Sequence, residues 1–233
     1  MTTHFLPRST TIDERDRGAT VAVLPVGSFE QHGEFLPLAT DTAIAVTITQ
    51  AIADVYPVLQ LPPITISCSH EHATWPGTVS ISAKTLYSVV QDIAESLRRS
   101  GVGGLVLVNG HGGNYVLSNV VQEAHGSLAL FPMLEDWQAA RTDAGLASSI
   151  DEDMHAGELE TSVLLHAHPD LVRAGYATAD VVTGDRRRLL TTGLARYTES
   201  GVAGRPSLAS AEKGRAVIAS LVTSFADCLS VIR

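Results

Sequence analysis

The chain has 233 residues, of which 45% are hydrophobic and 18% charged, and a formal net charge of −9. That length and apolar content allow a sizeable buried core, while the acidic balance excludes nucleic acid or an anionic membrane as the main partner, since both require a basic footprint. Cys68 and Cys228 stand far apart and fit neither a disulfide framework nor a thiolate zinc site; with no signal-peptide core and no run long enough to span a membrane, the chain reads as cytoplasmic.

Residues 1–19 are polar and mixed, a surface lead-in. Residues 20–25 form a short β-branched run ahead of Pro25, which predicts a buried strand. Next comes Val26-Gly-Ser-Phe-Glu-Gln-His-Gly-Glu-Phe-Leu-Pro-Leu-Ala-Thr-Asp41. If residues 28–32 are extended, Glu30 and His32 project to the same side, and Gly33 and Pro37 turn the chain so that Asp41 can return towards them. Residues 42–55 predict a helix with Ile44, Ile48, Ile52 and Val55 on one face, although β-branched residues oppose it. Residues 58–66 read as a strand broken by Pro62 and Pro63, placed near a sheet edge.

The stretch Ser69-His-Glu-His-Ala-Thr-Trp-Pro-Gly-Thr78 has the composition of a loop that lines a site. Residues 83–99 predict an amphipathic helix through Leu86, Val89, Val90, Ile93 and Leu97, with Gly101 just beyond its basic end. The unbroken apolar run 104–108 suits the centre of a parallel sheet and leads into Asn109-Gly-His-Gly-Gly-Asn114. A helix follows, with Asn114 as N-cap and Val116, Val120, Val121 and Ala124 inward. Residues 128–134 read as a strand, 135–154 as a polar loop long enough for a lid or an oligomer contact, and a helix begins near Gly157. Residues 176–206 are irregular. The last helix starts near Ser210 and packs Val217, Ile218, Leu221, Val222, Phe225, Leu229 and Ile232. Strands alternating with helices in one domain, 1–233, predict an α/β/α three-layer sandwich with a mostly parallel sheet.

Parallel sheets form sites beyond the carboxyl ends of their strands. Glu30 and His32, the 69–78 loop and His111 all follow strands, and so meet on one edge. Glu, His and Asp together form a ligand set for zinc, manganese or iron. Glycines 110, 112 and 113 leave the backbone free to turn beside His111, in a spacing that does not match a dinucleotide-binding loop. His72 and Glu71 are open to two readings, contact with substrate or bracing of a ligand, and Trp75 stands with them. His125, His166 and His168 read as structural, and residues 186–188 as a solvated arginine run.

Five segments in the same order resemble the creatininase (creatinine amidohydrolase) family: Gly27-Ser-Phe-Glu-Gln-His-Gly-Glu-Phe-Leu-Pro with Thr40-Asp41, Trp75-Pro-Gly-Thr, Asn109-Gly-His-Gly-Gly-Asn, His155-Ala-Gly-Glu-Leu-Glu-Thr-Ser and Ala209-Ser-Ala-Glu-Lys-Gly214. The resemblance implies a three-layer α/β/α amidohydrolase, assembled as a homo-oligomer (often a hexamer), with two divalent metal ions per chain. It places Glu30 and His111 on one ion, His32 on the other and Asp41 between them. Creatininase itself carries a glutamate, a ligand of the second ion, where this chain has Gly113, which weakens creatinine as the substrate. Glu160 is the expected replacement, with Glu158 its rival at about 200° around the same helix.

The implied chemistry is attack on an amide carbon by a metal-activated hydroxide, with His155 protonating the leaving nitrogen. The expected substrate is a small molecule with a non-peptide C–N bond: an amide, formamide or cyclic amide. One alternative is a mycofactocin-type peptidase trimming a small modified peptide. Members of that type carry arginine where this chain has Glu158, which tilts the expectation away from them. A second alternative is a catalytically idle metal- or nucleotide-binding module. That would predict a lost ligand among Glu30, His32, Asp41 and His111, and none is lost.

Overall fold

The two most continuous apolar runs become the two central strands. In the computed structural model, which describes residues 5–232, β1 (Val21–Val26) and β3 (Gly104–Asn109) pair in parallel from Val21↔Gly104 to Val26↔Asn109. The first four residues of the predicted lead-in lie outside the described range. β2 (Leu59–Gln60) joins the free edge of β1 and β4 (Leu128–Phe131) that of β3, giving a parallel sheet of order β2-β1-β3-β4. Only Leu59 and Gln60 of the predicted 58–66 strand pair in the ladder, with one further bridge from Ile64 to Val26. Pro62 and Pro63 have no N–H to give, so the ladder breaks at the sheet edge. The same limit stops β4 at Phe131, before Pro132.

The helices follow in chain order. α1 (Thr11–Arg17) precedes the sheet, α2 (Thr40–Ala53) joins β1 to β2, α3 (Ala83–Arg99) joins β2 to β3, and α4 (Val116–Glu123) joins β3 to β4. Then come α5 (Leu134–Asp143), α6 (Glu158–Ala167), the single turn α7 (Leu189–Thr192) and α8 (Ala211–Ser230). Strand alternation sorts the core into two layers. Leu24, Leu105 and Leu107 face α3 and α4, packing on Leu86, Val90, Leu117 and Val120. Val23, Val106 and Val108 face the other way, onto Ile44, Ile48, Val217, Leu221 and Phe225. Each such fully buried aliphatic side chain contributes roughly 1.5–3 kcal/mol. That burial on both faces overrides the poor helix propensity of α2, whose residues Thr40 to Thr49 are all buried.

Four expectations are corrected. Residues 134–143 are a helix, not the end of a strand at 134 and the start of a loop from 135. Met133 N–H donates to Asp136 Oδ2 at 2.8 Å, Glu135 and Asp136 occupy the first turn, and Gly145 closes the end at φ 62°. Its buried positions are Ala140 and Arg141, so the apolar stripe that signals an amphipathic helix is missing. α1 forms on a capping box between Thr10 and Asp13 without burying a residue. Val55 lies past the end of α2 and is exposed. Finally, Asn114 does not cap α4, whose N-cap is Tyr115; Leu117, which the pattern passed over, is fully buried there beside Val120. No helix among the described residues is long and apolar enough to cross a membrane.

Candidate metal centre

The carboxyl edge of the sheet gathers the candidate residues through close backbone approaches. After β1 the chain passes Gly27, where a β-carbon would overlap the backbone of Thr42. Residues 28–32 therefore lie directly against the first turn of α2, which carries Asp41. Ser28 Oγ donates to Asp41 Oδ2 at 2.7 Å, and Glu30 N–H donates to Leu38 O at 2.9 Å. No continuous strand forms there. Isolated bridges, Phe29 to Val79 and His32 to Glu34, hold the segment extended. After β3, Asn109 Nδ2 donates to His111 O at 2.7 Å. Asn114 donates to Asn109 Oδ1 at 3.0 Å and accepts from Cys68 N–H at 3.1 Å. The two asparagines thus frame His111 and tie its loop to the loop after β2.

His155 arrives from before α6, bridged to Ala203. Ala156 adopts φ 51°, an uncommon conformation for a residue with a β-carbon. Its N–H donates to Glu160 Oε2 at 2.6 Å, which turns that carboxylate inward.

Asp41 is the hub. Its Oδ1 lies 3.0 Å from His32 Nε2 and its Oδ2 lies 3.0 Å from His111 Nδ1. Glu30 Oε2 stands 3.2 Å from His111 Nε2, and Glu160 Oε2 stands 3.9 Å from His32 Nε2. Two groups of donor atoms, each within 4.8 Å, share this aspartate: Glu30–Asp41–His111 and His32–Asp41–Glu160. A third group joins Glu30, His32 and His155. Glu158 points elsewhere. Fully buried, it accepts from Ala147 N–H, Ser148 N–H and Oγ, and Lys213 Nζ.

The electrostatics are those of carboxylates held together out of water. Burial pushes Glu30 up to about 7 and Glu160 up to about 8, each only partly offset by a nearby imidazole. Burial would draw His32 and His111 down, but Asp41 and Glu30 outweigh it and raise them to about 9 and about 10. Burial alone would raise Asp41, yet those two imidazoles hold it well below the usual carboxylate range. Without an ion, protons on histidine balance the acids. Glu30 also keeps both carboxylate oxygens buried without a hydrogen-bond partner. Unpaired buried anion oxygens among imidazole nitrogens fit a divalent cation, which would replace those protons. The residues suited to hold it are Glu30, His32, Asp41, His111 and Glu160.

Sequence reasoning passed over Gln31. Its side-chain Nε2 donates to His72 Nδ1 at 2.9 Å and to Gly201 O at 3.1 Å, which uses both protons. His155 Nε2 lies 2.7 Å from Gln31 O and must donate to it. This network assigns the tautomers. His155 turns an unprotonated Nδ1 towards Glu30 Oε1, 3.7 Å away, and His72 Nε2 lies 3.2 Å from the same oxygen without hydrogen-bond geometry. Burial, reinforced by the charge of His32, keeps both rings neutral; His72 falls to about 3 and His155 also lies well below its ordinary value. Gln31 sits inside the quoted motif, but alternation aims it away from Glu30 and His32, and its partners are distant in sequence.

A cavity of about 260 Å³ opens onto His111 and Glu160, walled by Ile44, Trp137, Arg141, Ile150, Met154 and Leu159. Much of its wall is thus α5 and the turn after it, the region expected to be a loop. Glu71, His72 and Trp75 do not line it. His72 is buried behind Glu30, and Trp75 packs 6.2 Å from the His72 ring. Arg186 and Arg187 are engaged with Asp151 O, Thr183 and Asp185. Of the histidines read as structural, His168 is buried and bonds Thr47 at 3.0 Å.

The arrangement has relatives. The mycofactocin precursor peptide peptidase of Mycolicibacterium smegmatis is 34% identical over 222 residues, covering 89% of this chain and 83% of that one. The creatinine amidohydrolase of Pseudomonas putida is 27% identical over 240 residues, covering 91% and 89%. A crystal structure of creatinine amidohydrolase superposes with a TM-score of 0.80 at 24% identity, covering 93% of each chain, and shares the fold. The profile of the family described as Creatininase: Creatinine amidohydrolase matches residues 8–229. With that match spanning nearly its whole length, the chain belongs to the creatininase family of hydrolases.

Proposed function

We propose that the chain is a binuclear metal-dependent hydrolase that cleaves an amide C–N bond with water. The observation that supports this reading is Asp41, whose two oxygens face different histidines, each within its own ligand group. Glu30, His111 and Asp41 would hold one ion, and His32, Asp41 and Glu160 the other. Solved creatininases include Zn–Zn and Mn forms, and this donor set suits either metal. When bound, the ions would lower the pKa of a coordinated water and polarise the substrate carbonyl.

The chain's own residues do the rest. His155 is neutral, its Nε2–H fixed on Gln31 O, so its Nδ1 accepts the proton that water releases on attack. The same Nδ1 then delivers that proton to the departing nitrogen, and the C–N bond breaks. Gln31 and His72 keep the ring from turning. The cavity walls hold the acyl or amine portion and exclude water.

Two bond classes compete. The compact cavity favours a small non-peptide amide. The identities of 34–36% to mycofactocin precursor peptide peptidases, against 27% to creatinine amidohydrolase, favour a small modified peptide. Glu158, whose difference from the arginine of that type tilted the expectation against a peptide, faces Lys213 rather than the cavity. It therefore carries no weight about substrate.

The test is metal content per chain for wild type and Glu160→Ala, followed by hydrolysis of formamides and cyclic amides set against short peptides. Two ions falling to about one, with turnover on one arm of the panel, is the expected result. One ion or none in the wild type would put the idle-module alternative ahead.

A further inference from the structure

Arginine is seldom buried without acceptors for its N–H groups, and α5 turns one inward. Arg141 is 7% exposed and lines the cavity that opens onto His111 and Glu160. Trp137, four residues earlier and on the same face of the helix, lines the same space, with Ile44, Ile150, Met154 and Leu159 around them. Arg141 Nη1 donates to Asp153 Oδ2 at 3.0 Å, and Nη2 donates to Ser148 O at 2.6 Å and to Ser148 Oγ at 3.2 Å. Those bonds tie the turn after α5 to the helix, but a guanidinium has five N–H groups. Nε–H and one Nη1–H meet no acceptor among the described residues.

Asp153 does not cancel this group. Its Oδ1 accepts from Glu158 N–H at 2.5 Å and its Oδ2 from Leu159 N–H at 3.0 Å, so its charge also serves the amino end of α6. Among the described residues that line the cavity, Arg141 is the one lysine or arginine. The apolar walls keep water from its charge and strengthen what it binds. An ionised carboxylate is the acceptor that a guanidinium N–H holds most strongly, whereas a neutral carbonyl leaves the charge unmatched.

We propose that Arg141 is a specificity-determining residue that takes a carboxylate carried by the substrate, while the bond to be cleaved lies against His111 and Glu160. The inference rests on the hydrolase reading above and narrows its substrate class to small amides that bear an acidic group.

The experiment uses matched probes: the N-formyl and N-acetyl derivatives of glycine, β-alanine and 4-aminobutyrate, each set against its neutral N-methylamide. Binding to the metal-loaded protein is read by calorimetry, and kcat/KM is measured wherever a probe is cleaved. Wild type should favour at least one acid over its amide by roughly 10-fold or more, and Arg141→Gln should remove that preference while leaving the amide's affinity nearly unchanged. Arg141→Lys, which keeps the charge without the planar fork, should retain part of it. No preference in any pair, or a preference that survives Arg141→Gln because the acid sits on the ions, would overturn the inference. Cleavage of acid and amide alike would do so with the hydrolase reading intact. Arg141-dependent binding of an acid without turnover of any probe would count against the hydrolase reading alone. Because Arg141 also ties Ser148 and Asp153, urea unfolding of each variant accompanies the titrations. A damaged turn lowers the affinity for acid and amide together, which would overturn the inference, whereas a lost recognition group lowers only that for the acid. If Arg141→Gln does not fold, Arg141→Lys and the wild-type ranking of the pairs decide.

Discussion

Glu158 and Glu160 are two residues apart on one helix, and substituting the first separates a structural carboxylate from a candidate ligand. Glu158 is fully buried and accepts from Ala147 N–H at 3.0 Å, Ser148 N–H at 2.8 Å, Ser148 Oγ at 2.5 Å and Lys213 Nζ at 2.5 Å. Glu158→Gln keeps the shape but offers one oxygen in place of two. Its amide N–H₂ must then face either backbone donors or the ammonium. Removing one partner of a buried ion pair costs about 3–5 kcal/mol. Lys213 keeps some water, with 24% of its side chain exposed, so we expect about 2–4 kcal/mol. Although burial would raise Glu158, Lys213 and Ser148 outweigh it and hold it below its ordinary value. A lowered folded-state pKa contributes stability that is complete above the unfolded pKa, about 4.3, and is lost as pH falls through the folded value. Wild type and variant should therefore differ fully at pH 7 and converge below about pH 4. Urea unfolding at the two pH values measures this, and elemental analysis at pH 7 should find wild-type metal content. A loss under about 1 kcal/mol at pH 7, or loss of an ion with stability unchanged, would refute the clamp and restore Glu158 as a ligand.

Asp41→Ala should remove metal from both groups and abolish turnover with the sheet retained by circular dichroism; retention of two ions would end its bridging role. His155→Ala should keep both ions and lower kcat by roughly 10²–10⁴. Loss of an ion there would instead make His155 a ligand, in the third group it forms with Glu30 and His32. Ala156→Val places a β-branched residue at φ 51° and should cost at least about 2 kcal/mol, with weaker metal binding as the Glu160 carboxylate loses its N–H donor. A thermal midpoint equal to wild type would show that the turn relaxes freely.

The sheet and its flanking helices were legible because their signals are local. The runs at 21–26 and 104–109 are apolar without interruption, and Leu86, Val90 and Leu97 recur at helical spacing. The gathering of the candidate side chains on one sheet edge was legible, since strand alternation and sheet topology need only the order of elements. α5 was hidden because the residue turned inward beside Ala140 is a charged arginine, held by Asp153 at 3.0 Å and Ser148 O at 2.6 Å. Gln31 was hidden because its meaning lies in partners 41, 124 and 170 residues away. Asn114 reads as a cap from its neighbours alone, but its side chain bonds Asn109 and the amide of Cys68, 46 residues earlier.

The ligand groups join residues that follow β1, residues that follow β3 and a residue of α6, and His32 and Glu160 come from opposite halves of the chain. Even the Glu30–Asp41–His111 group needs the stretch from residue 30 to residue 111 with both crossovers in place, and the group with Glu160 needs α6 as well, unlike a zinc finger's closely spaced cysteines and histidines. Filling both groups would therefore come late in the protein's life history, after both crossovers and α6 have docked. A chelator present during synthesis should leave a folded apoprotein that accepts metal afterwards, and the supply of metal in the cell would then govern activity rather than yield.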